Sequence, residues 1–438
     1  MKTFIAVLLS IFCLQLAVAQ LPVFPGAAGW GSTTVAGRGG ALYRITNLND
    51  SGPGSLRNAM EATVPRIVVF ETSGEIRPLR NLLIENPFIT VAGQTAPSPG
   101  ITIRGASIIV KTHDVLLQHL RIRVGSPRPD GNTSSSDCIE VLTNNQNCYN
   151  IFFDHISASW ATDENLSVYS PNRTYRAYEI GYWYCLNSEA LMTGHINPNH
   201  KSDGWLVGST GGASQEKISI INCIMAFNNA RNPTSQSQSL TVANCLIEGW
   251  GGKVTLARWE NFPTPYGGNF KDNVFIGRSW SRARYLIEMD PNPLPTGSGI
   301  YWTGNLVSPP LTLSNGNVPT LSSPRSWPPS YASTPAAFLK ERLLIQAGAR
   351  PSDRDEVDER IMASLSSGTG GLINTQNDVG GWPVLEVVRT TFIDARNPNG
   401  DNDRDGYTNR EEVLHNWQRY VGQDVPLTSG ILYQSPLN

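Results

Sequence analysis

At 438 residues, the chain is longer than the ~250–300 residues at which a single hydrophobic core usually stops growing, and its formal charge of −2 provides no general attraction to nucleic acid or an anionic membrane. Charged residues make up 16% of it, against ~25% in ordinary globular proteins, and Asn, Ser, Thr and Gly fill the difference. This balance argues against a helical bundle and for an elongated stack of short strands and turns.

Residues 1–19 carry one lysine, an apolar run and the small-x-small triplet Ala17-Val18-Ala19, the pattern of a secretory signal peptide. The mature chain is then expected to begin near Gln20 and to be secreted. The run is shorter than the ~20 residues a bilayer needs, and no later segment is apolar enough to span, so no membrane partner is expected. Beyond Cys13 the cysteines are Cys138, Cys148, Cys185, Cys223 and Cys245. Their odd number excludes a fully paired disulfide framework.

Residues 20–325 contain a concealed repeat. The windows "LLQHLRI" at Leu116, "FFDHISA" at Phe152, "WYCLNSE" at Trp183, "IINCIMA" at Ile220, "VANCLIE" at Val242, "KDNVFIG" at Lys271 and "WTGNLVS" at Trp302 share an apolar pair or alternation, a polar or small residue, and another apolar pair. Short β-patterned runs recurring every ~20–50 residues mark a stacked architecture. Variable insertions between constant strands favour a mainly β, parallel β-helix over a propeller or a sandwich. On that reading Cys223 and Cys245 are stacked core thiols.

Residues 326–395 begin with a Pro/Ser-rich linker and continue with helical spacing in "AAFLKERLLIQAGA" and "RDEVDERIMASLSSG", a region expected to pack on the solenoid. Residues 396–438 form a C-terminal calcium-loop segment. In it "DNDRDGYTNREE" fits D-x-[DN]-x-[DN]-G-x₅-E without a gap. Asp401, Asp403 and Asp405 are side-chain ligands, Tyr407 gives its carbonyl, and Glu412 closes the loop. The residues after it can form the exiting helix, but "DARNPNG" before it is a poor entering one. The loop therefore reads as a single EF-hand-like Ca²⁺ staple, as in dockerin-type modules.

Sequons at Asn49, Asn132, Asn165 and Asn172 are candidate N-glycosylation sites if the host glycosylates. Asp154-His155 looks like an acid–base pair, yet its place in the repeat favours a structural ladder. His195 and His200 lack a neighbouring pattern that would make a zinc site.

Several passages together resemble the secreted pectate lyase superfamily of right-handed parallel β-helices. They are "FPGAAGWG" with "GRGGALYRITNLNDSGPGSLRNAM", "VAGQTAPSPGITIRG", and the run from "SDCIEV" through "FFDHISASWATDENLSV" and "HKSDGWLVGS" to "NNARNP". The resemblance implies calcium-dependent β-elimination of de-esterified homogalacturonan (polygalacturonate), with an acidic plant cell-wall polysaccharide as partner. It assigns Asp137 and Asp163 to catalytic calcium, Lys201 to a substrate uronate and Arg231 to proton removal. The sequence departs from the family's pattern at Ser167, where a second acidic ligand is expected, so Glu164, Asp130 or the substrate must complete the site.

Taken alone, Arg231 reads as a carboxylate clamp and Asp137 as a strand-end residue. The chemistry explains why the wider constellation is wanted. Removing a proton α to a carboxylate builds dianionic, enolate-like charge, which a hard cation and a lysine can stabilise. Guanidinium is normally protonated, so a basic Arg231 requires nearby positive charge and excluded water. Two rivals stay open: a pectin or other uronan lyase, and a non-catalytic glycan-binding β-helix. A monomer is expected, because a long solenoid buries its core without a partner.

Overall fold

The computed structural model describes residues 20–126, 136–172, 174–194, 202–209, 215–257, 265–289, 295–316 and 319–427. Its strands form three sheets, one of ten strands and two of nine. In each sheet the partner of a strand comes from the next coil of the chain, and the pairings between sheet strands are parallel. This is a parallel β-helix, in which every full coil contributes one strand to each sheet.

The repeat seen in the sequence is anchored on a turn. His119, His155, Tyr184, Asn222, Asn244 and Asp272 all take left-handed backbone conformations with φ between 49° and 55°, and Gly304 follows at 67°. Asn, Asp and Gly tolerate that region. His119, His155 and Tyr184 are less suited to it, and their rings stack on one another at 4.9 and 5.2 Å. One residue past each turn the chain enters the core, so Cys185, Cys223 and Cys245 stack there, buried and unpaired as disulfides. The Cys185 amide donates to Cys223 Sγ at 3.3 Å.

The interior is a set of ladders. Val91, Leu117, Phe153, Tyr182, Ile220, Val242 and Phe270 occupy consecutive rungs and are essentially inaccessible to solvent. Burying such a side chain contributes roughly 1.5–3 kcal/mol, so register is strongly specified. A slip by one residue would turn each rung outward.

Four α-helices, α1 (Leu56–Met60), α2 (Leu339–Gln346), α3 (Glu356–Ser367) and α4 (Asn409–Tyr420), and two short 3₁₀ helices, Gly93–Thr95 and Gln376–Val379, complete the described structure. α2 and α3 pack Leu339, Leu343, Ile361 and Leu365 against Leu186, Ile224 and Leu246 on the outside of one nine-stranded sheet. α4 places Leu414 and Trp417 over Ile67 and Val69 of the ten-stranded sheet. Polar anchors fix both docks. Arg123 donates to Asp355 at 2.6 and 2.9 Å and to Asp358 at 2.8 Å, all three fully or almost fully buried. Asp355 also caps α3 by accepting from the Asp358 amide. A second buried group joins Gln118, His119 and Asp154 to Gln418 and Gln423 of the tail. The tail thus covers two sides of the solenoid, while the second nine-stranded sheet carries the site.

One sequence expectation is corrected here. Asn165 is fully buried, and its amide donates to Asn187 Oδ1 at 3.1 Å and to the Ser188 carbonyl at 3.0 Å. The folded chain offers no room for a glycan there. Asn132 lies outside the described residues, as do His195 and His200.

Candidate active site

Three successive coils enter the second nine-stranded sheet through an acidic residue. The strands are Ile139–Leu142, Glu164–Ser170 and Asp203–Ser209, and Glu164 pairs in register with Asp203. Ile139 pairs with Leu166, which puts Asp137 level with Glu164. The Glu164 amide donates to Asp137 Oδ1 at 3.2 Å. Neighbouring strands are ~4.8 Å apart, so stacking alone builds a column of carboxylates from residues far apart in the chain. Asp137, Asp163 and Glu164 bring one carboxylate oxygen each within 4.8 Å of one another.

Ser167 does not face this group as a missing ligand. Its hydroxyl donates to Asp137 Oδ2 and so orients that carboxylate, while Glu164 supplies the third acid. Asp130, the other candidate to complete the set, lies outside the described residues, and so does Lys201. Burial, Glu140 and Asp163 push the Asp137 carboxyl well above its ordinary range. Burial and Asp163 raise Glu140 to about 7. Like charges on adjacent rungs repel, and a hard cation that prefers several oxygen ligands relieves that repulsion. The donor set therefore suits Ca²⁺.

Arg231 sits one coil further on, just before the strand Thr234–Ser235. Its backbone is left-handed at φ 58°, and its carbonyl accepts from the Trp205 amide at 2.6 Å. Asparagines hold this loop. Asn228 donates to Asn187 and to Asn232, each at 3.1 Å, and its own carbonyl oxygen accepts from the Ala190 amide. Gly204 makes the close approach possible, since a Cβ there would lie 2.8 Å from the Arg231 carbonyl and 2.7 Å from Asn228 Nδ2. The guanidinium meets the Glu164 carboxylate directly and Asp203 Oδ2 at 3.1 Å. Burial and Asp163 push Asp203 up to about 8 against the pull of Lys253, while its contact with the Arg231 guanidinium favours the ionised form.

Sequence reasoning missed Asp203 and Glu140. A usable signal existed: three successive coils enter this sheet on an acid, in "SDCIE", "TDENL" and "KSDGW". The asparagine network behind the column had no such signal, because its members lie on different coils at irregular spacing.

The 401–412 loop forms a second acidic centre. Asp401, Asp403 and Asp405 converge within 4.8 Å, and Gly406 turns at φ 98°. The Asp401 carboxylate accepts from the Arg404 and Gly406 amides at 2.6 and 3.1 Å. Asp405 Oδ1 accepts from the Tyr407 amide at 2.9 Å. One oxygen each of Asp403, Asp405 and Glu412 is buried without a hydrogen-bond partner, and Glu412 is pushed up to about 7 by burial and the three aspartates. These oxygens fit Ca²⁺ ligation. α4 leaves the loop as the exiting helix, and residues 391–400 before it are not helical.

His119, Asp154 and His155 also converge, but they are engaged with one another and with the tail. His119 Nδ1 lies 2.6 Å from the Ala349 carbonyl and Nε2 lies 2.7 Å from Gln423 Oε1. His155 Nδ1 lies 2.6 Å from Asp154 Oδ1. This cluster is an anchor for the tail.

Fold and edge define the class: a parallel β-helix with a carboxylate column facing a loop-held arginine. No family model matches the chain. It is 30% identical over 423 residues to a probable pectate lyase C of Aspergillus fumigatus, covering 94% of this chain and 91% of that one. It is 33% identical over 397 residues to a probable pectate lyase C of Emericella nidulans, covering 87% and 85%. The chain belongs to the pectate lyase family. Solved structures share its fold: the major cedar pollen allergen Jun a 1 at a TM-score of 0.53 and 16% identity, over 72% of this chain and 90% of that one, and a pectate lyase bound to a hexasaccharide at 0.51 and 15%, over 76% and 99%.

Proposed function

We propose that the protein is a pectate lyase that cleaves de-esterified homogalacturonan by calcium-assisted β-elimination. The observation that carries this reading is the juxtaposition of Asp137, Asp163 and Glu164 with Arg231 across adjacent coils. Calcium held by the three acids supplies Lewis-acid neutralisation of the substrate carboxylate, which acidifies the proton α to it.

The chain's own residues do the rest. Ser167 orients Asp137, and the asparagine network fixes the Arg231 loop so that the guanidinium faces the same edge as the acids. Before substrate binds, Glu164 and Asp203 hold Arg231 charged. Asp137, Asp163 and Glu164 would hold the cation. With Glu164 so engaged, Arg231 would lose one contact that favours its charged form, release a proton to solvent and, once bound substrate excludes water, be able to act as the base. Arg231 takes the C5 proton, the C5–H electrons form the C4=C5 double bond, and the C4–O bond breaks. The leaving oxygen takes a proton from solvent. The product is a 4,5-unsaturated oligogalacturonate. Lys201 is assigned a second uronate contact by family resemblance.

The 401–412 loop binds a separate, structural Ca²⁺ in this reading. Residues 1–19 direct secretion, residues 20–325 are the catalytic β-helix, residues 326–395 the linker and packed helical region, and residues 396–438 the calcium-loop segment. Asn49 and Asn172 remain candidate glycosylation positions, and the protein acts as a monomer.

Ultraviolet absorbance of the unsaturated product on polygalacturonate, with added calcium and with chelator, tests the proposal. Absorbance that rises with calcium and is abolished by chelation is expected. No product from folded protein on polygalacturonate, pectin or another uronan would sink it in favour of a glycan-binding module, and chelator-resistant cleavage of esterified pectin would favour the pectin lyase rival.

A further inference from the structure

The edge that carries the acids changes sign along the solenoid axis. Three coils present Asp137, Glu164 and Asp203. The next two carry Arg231 and Lys253 just before the paired strands Thr234–Ser235 and Thr255–Ala257. On the following coil Arg282 and Arg284 are exposed just before the strand Tyr285–Met289. Lys253 Nζ pairs with Glu288 Oε2 at 3.1 Å, both partly exposed, a contact that a polyanion can displace because such pairs are weak. Arg282 makes no ion pair among the described residues.

Beside the cationic stretch is a cavity of about 440 Å³ walled by Asn229, Gly251, Trp280, Arg282 and the tail residues Gly371 and Leu372. Its volume is in the range of small-ligand sites, and Arg282 is the one charged residue among those lining it. Asn229 ties it to the reacting centre: it lies two residues before Arg231, and its Oδ1 accepts from the Gly252 amide at 3.0 Å. The absence of a side chain at Gly251 lets Asn229 and the tail's Leu372 close against it to form this wall, since a Cβ there would meet Asn229 Oδ1 at 2.2 Å and Leu372 at 2.9 Å. The tail wall is fixed to the solenoid by the Met192 and Thr193 amides, which donate to the Ile373 and Asn374 carbonyls at 3.0 and 3.2 Å.

We infer that Trp280 and Arg282, with Lys253 between them and Arg231, form a uronate subsite on the side of the cut facing away from the carboxylate column, closed by the C-terminal tail. An aromatic ring offers its face to the C–H surface of a pyranose, and a guanidinium takes a carboxylate through two parallel N–H donors. The acid side of the edge holds uronates through calcium; the cationic side holds them directly and needs no metal. The inference rests on the lyase reading for its substrate class.

Two measurements test it. The first is binding of hexagalacturonate in chelator, followed by tryptophan fluorescence, with a neutral galactose oligomer as control. Saturable binding of the acidic oligomer alone is expected, weakened about tenfold or more in Arg282→Ala and Trp280→Ala and less in Arg282→Lys. The second is steady-state cleavage of polygalacturonate with calcium, where both alanine variants are expected to raise KM about tenfold, with kcat falling by less than KM rises. Circular dichroism establishes that the variants are folded. Cleavage by wild type, with hexagalacturonate binding and KM both within about twofold of wild type in the two alanine variants, would overturn the subsite and leave the lyase reading intact. Absence of cleavage by any calcium-loaded sample, with chelator-resistant binding still lost in Arg282→Ala, would overturn the lyase reading and keep the subsite.

Discussion

Asp401, Asp403, Asp405 and Glu412 come from one short loop, and their convergence follows from local turns: each Asx carboxylate accepts from amides two to five residues on. Asp137, Asp163, Glu164 and Asp203 come from three coils and meet only because parallel strands stack in register. Both regions crowd carboxylates that suit calcium, yet they stand in different surroundings. Among the described residues, the ion pairs beside the loop are those that dock α4, such as Arg38 on Glu411 at 2.7 Å. The column faces Arg231. On the proposed reading, the acidic loop without an opposing arginine staples the tail, whereas the column that faces Arg231 is the one equipped for proton chemistry.

The largest effect expected from breaking this contrast is at Arg231. Arg231→Lys retains the charge but loses the fork that spans Glu164 and Asp203, and turnover on polygalacturonate should fall by about 10³-fold or more with the thermal unfolding temperature little changed. Near-normal turnover would remove the assigned role. Next comes Glu164→Gln, which takes the third acid from the column. Activity at low calcium should drop by roughly 10²-fold and recover in part as calcium is raised; an unchanged calcium titration would show that Glu164 does not substitute for the acid missing at Ser167.

The loop should respond in the opposite way. Asp401→Asn is expected to leave kcat within about twofold, while abolishing the part of the calcium-induced rise in unfolding temperature that comes from the tail. A loss of turnover with unchanged thermal response would reverse the roles of the two sites.

A smaller, pH-dependent effect tests how the tail is held. The Arg123 guanidinium keeps the Asp355 carboxyl well below the usual carboxylate range. A carboxyl depressed in the folded state adds stability above its unfolded value of ~4 and loses it as pH falls below that. Acid unfolding of the wild type should therefore steepen below about pH 4. Asp355→Asn, which leaves Arg123 buried beside Asp358 alone, should cost about 3 kcal/mol at neutral pH and flatten that acid limb. Urea unfolding at neutral and acid pH reads both.

Much of this molecule was legible in its residues. Apolar pairs flanking a polar turn residue mark a coil, because the left-handed turn at His119, His155, Tyr184, Asn222 and Asn244 recurs once per coil and each core residue after it must stack on the last. The 401–412 loop was equally legible, since its ligands are set by turns that span a few residues. Asp137, Asp163 and Arg231 were found through family resemblance, and the geometry brings them to one edge.

The remainder required the third dimension. Insertions of different length separate the coils, so sequence spacing does not reveal which residues share a rung, and Asp203 gave no sign of facing Arg231. Asn165 read as a glycosylation sequon until burial placed its amide in the network behind the column. Ser167 read as a gap until its hydroxyl was seen to orient Asp137 while Glu164 supplied the acid. The wall that Gly371 and Leu372 add near Arg231 joins segments about 140 residues apart, a distance across which local patterning carries no information and tertiary packing alone decides.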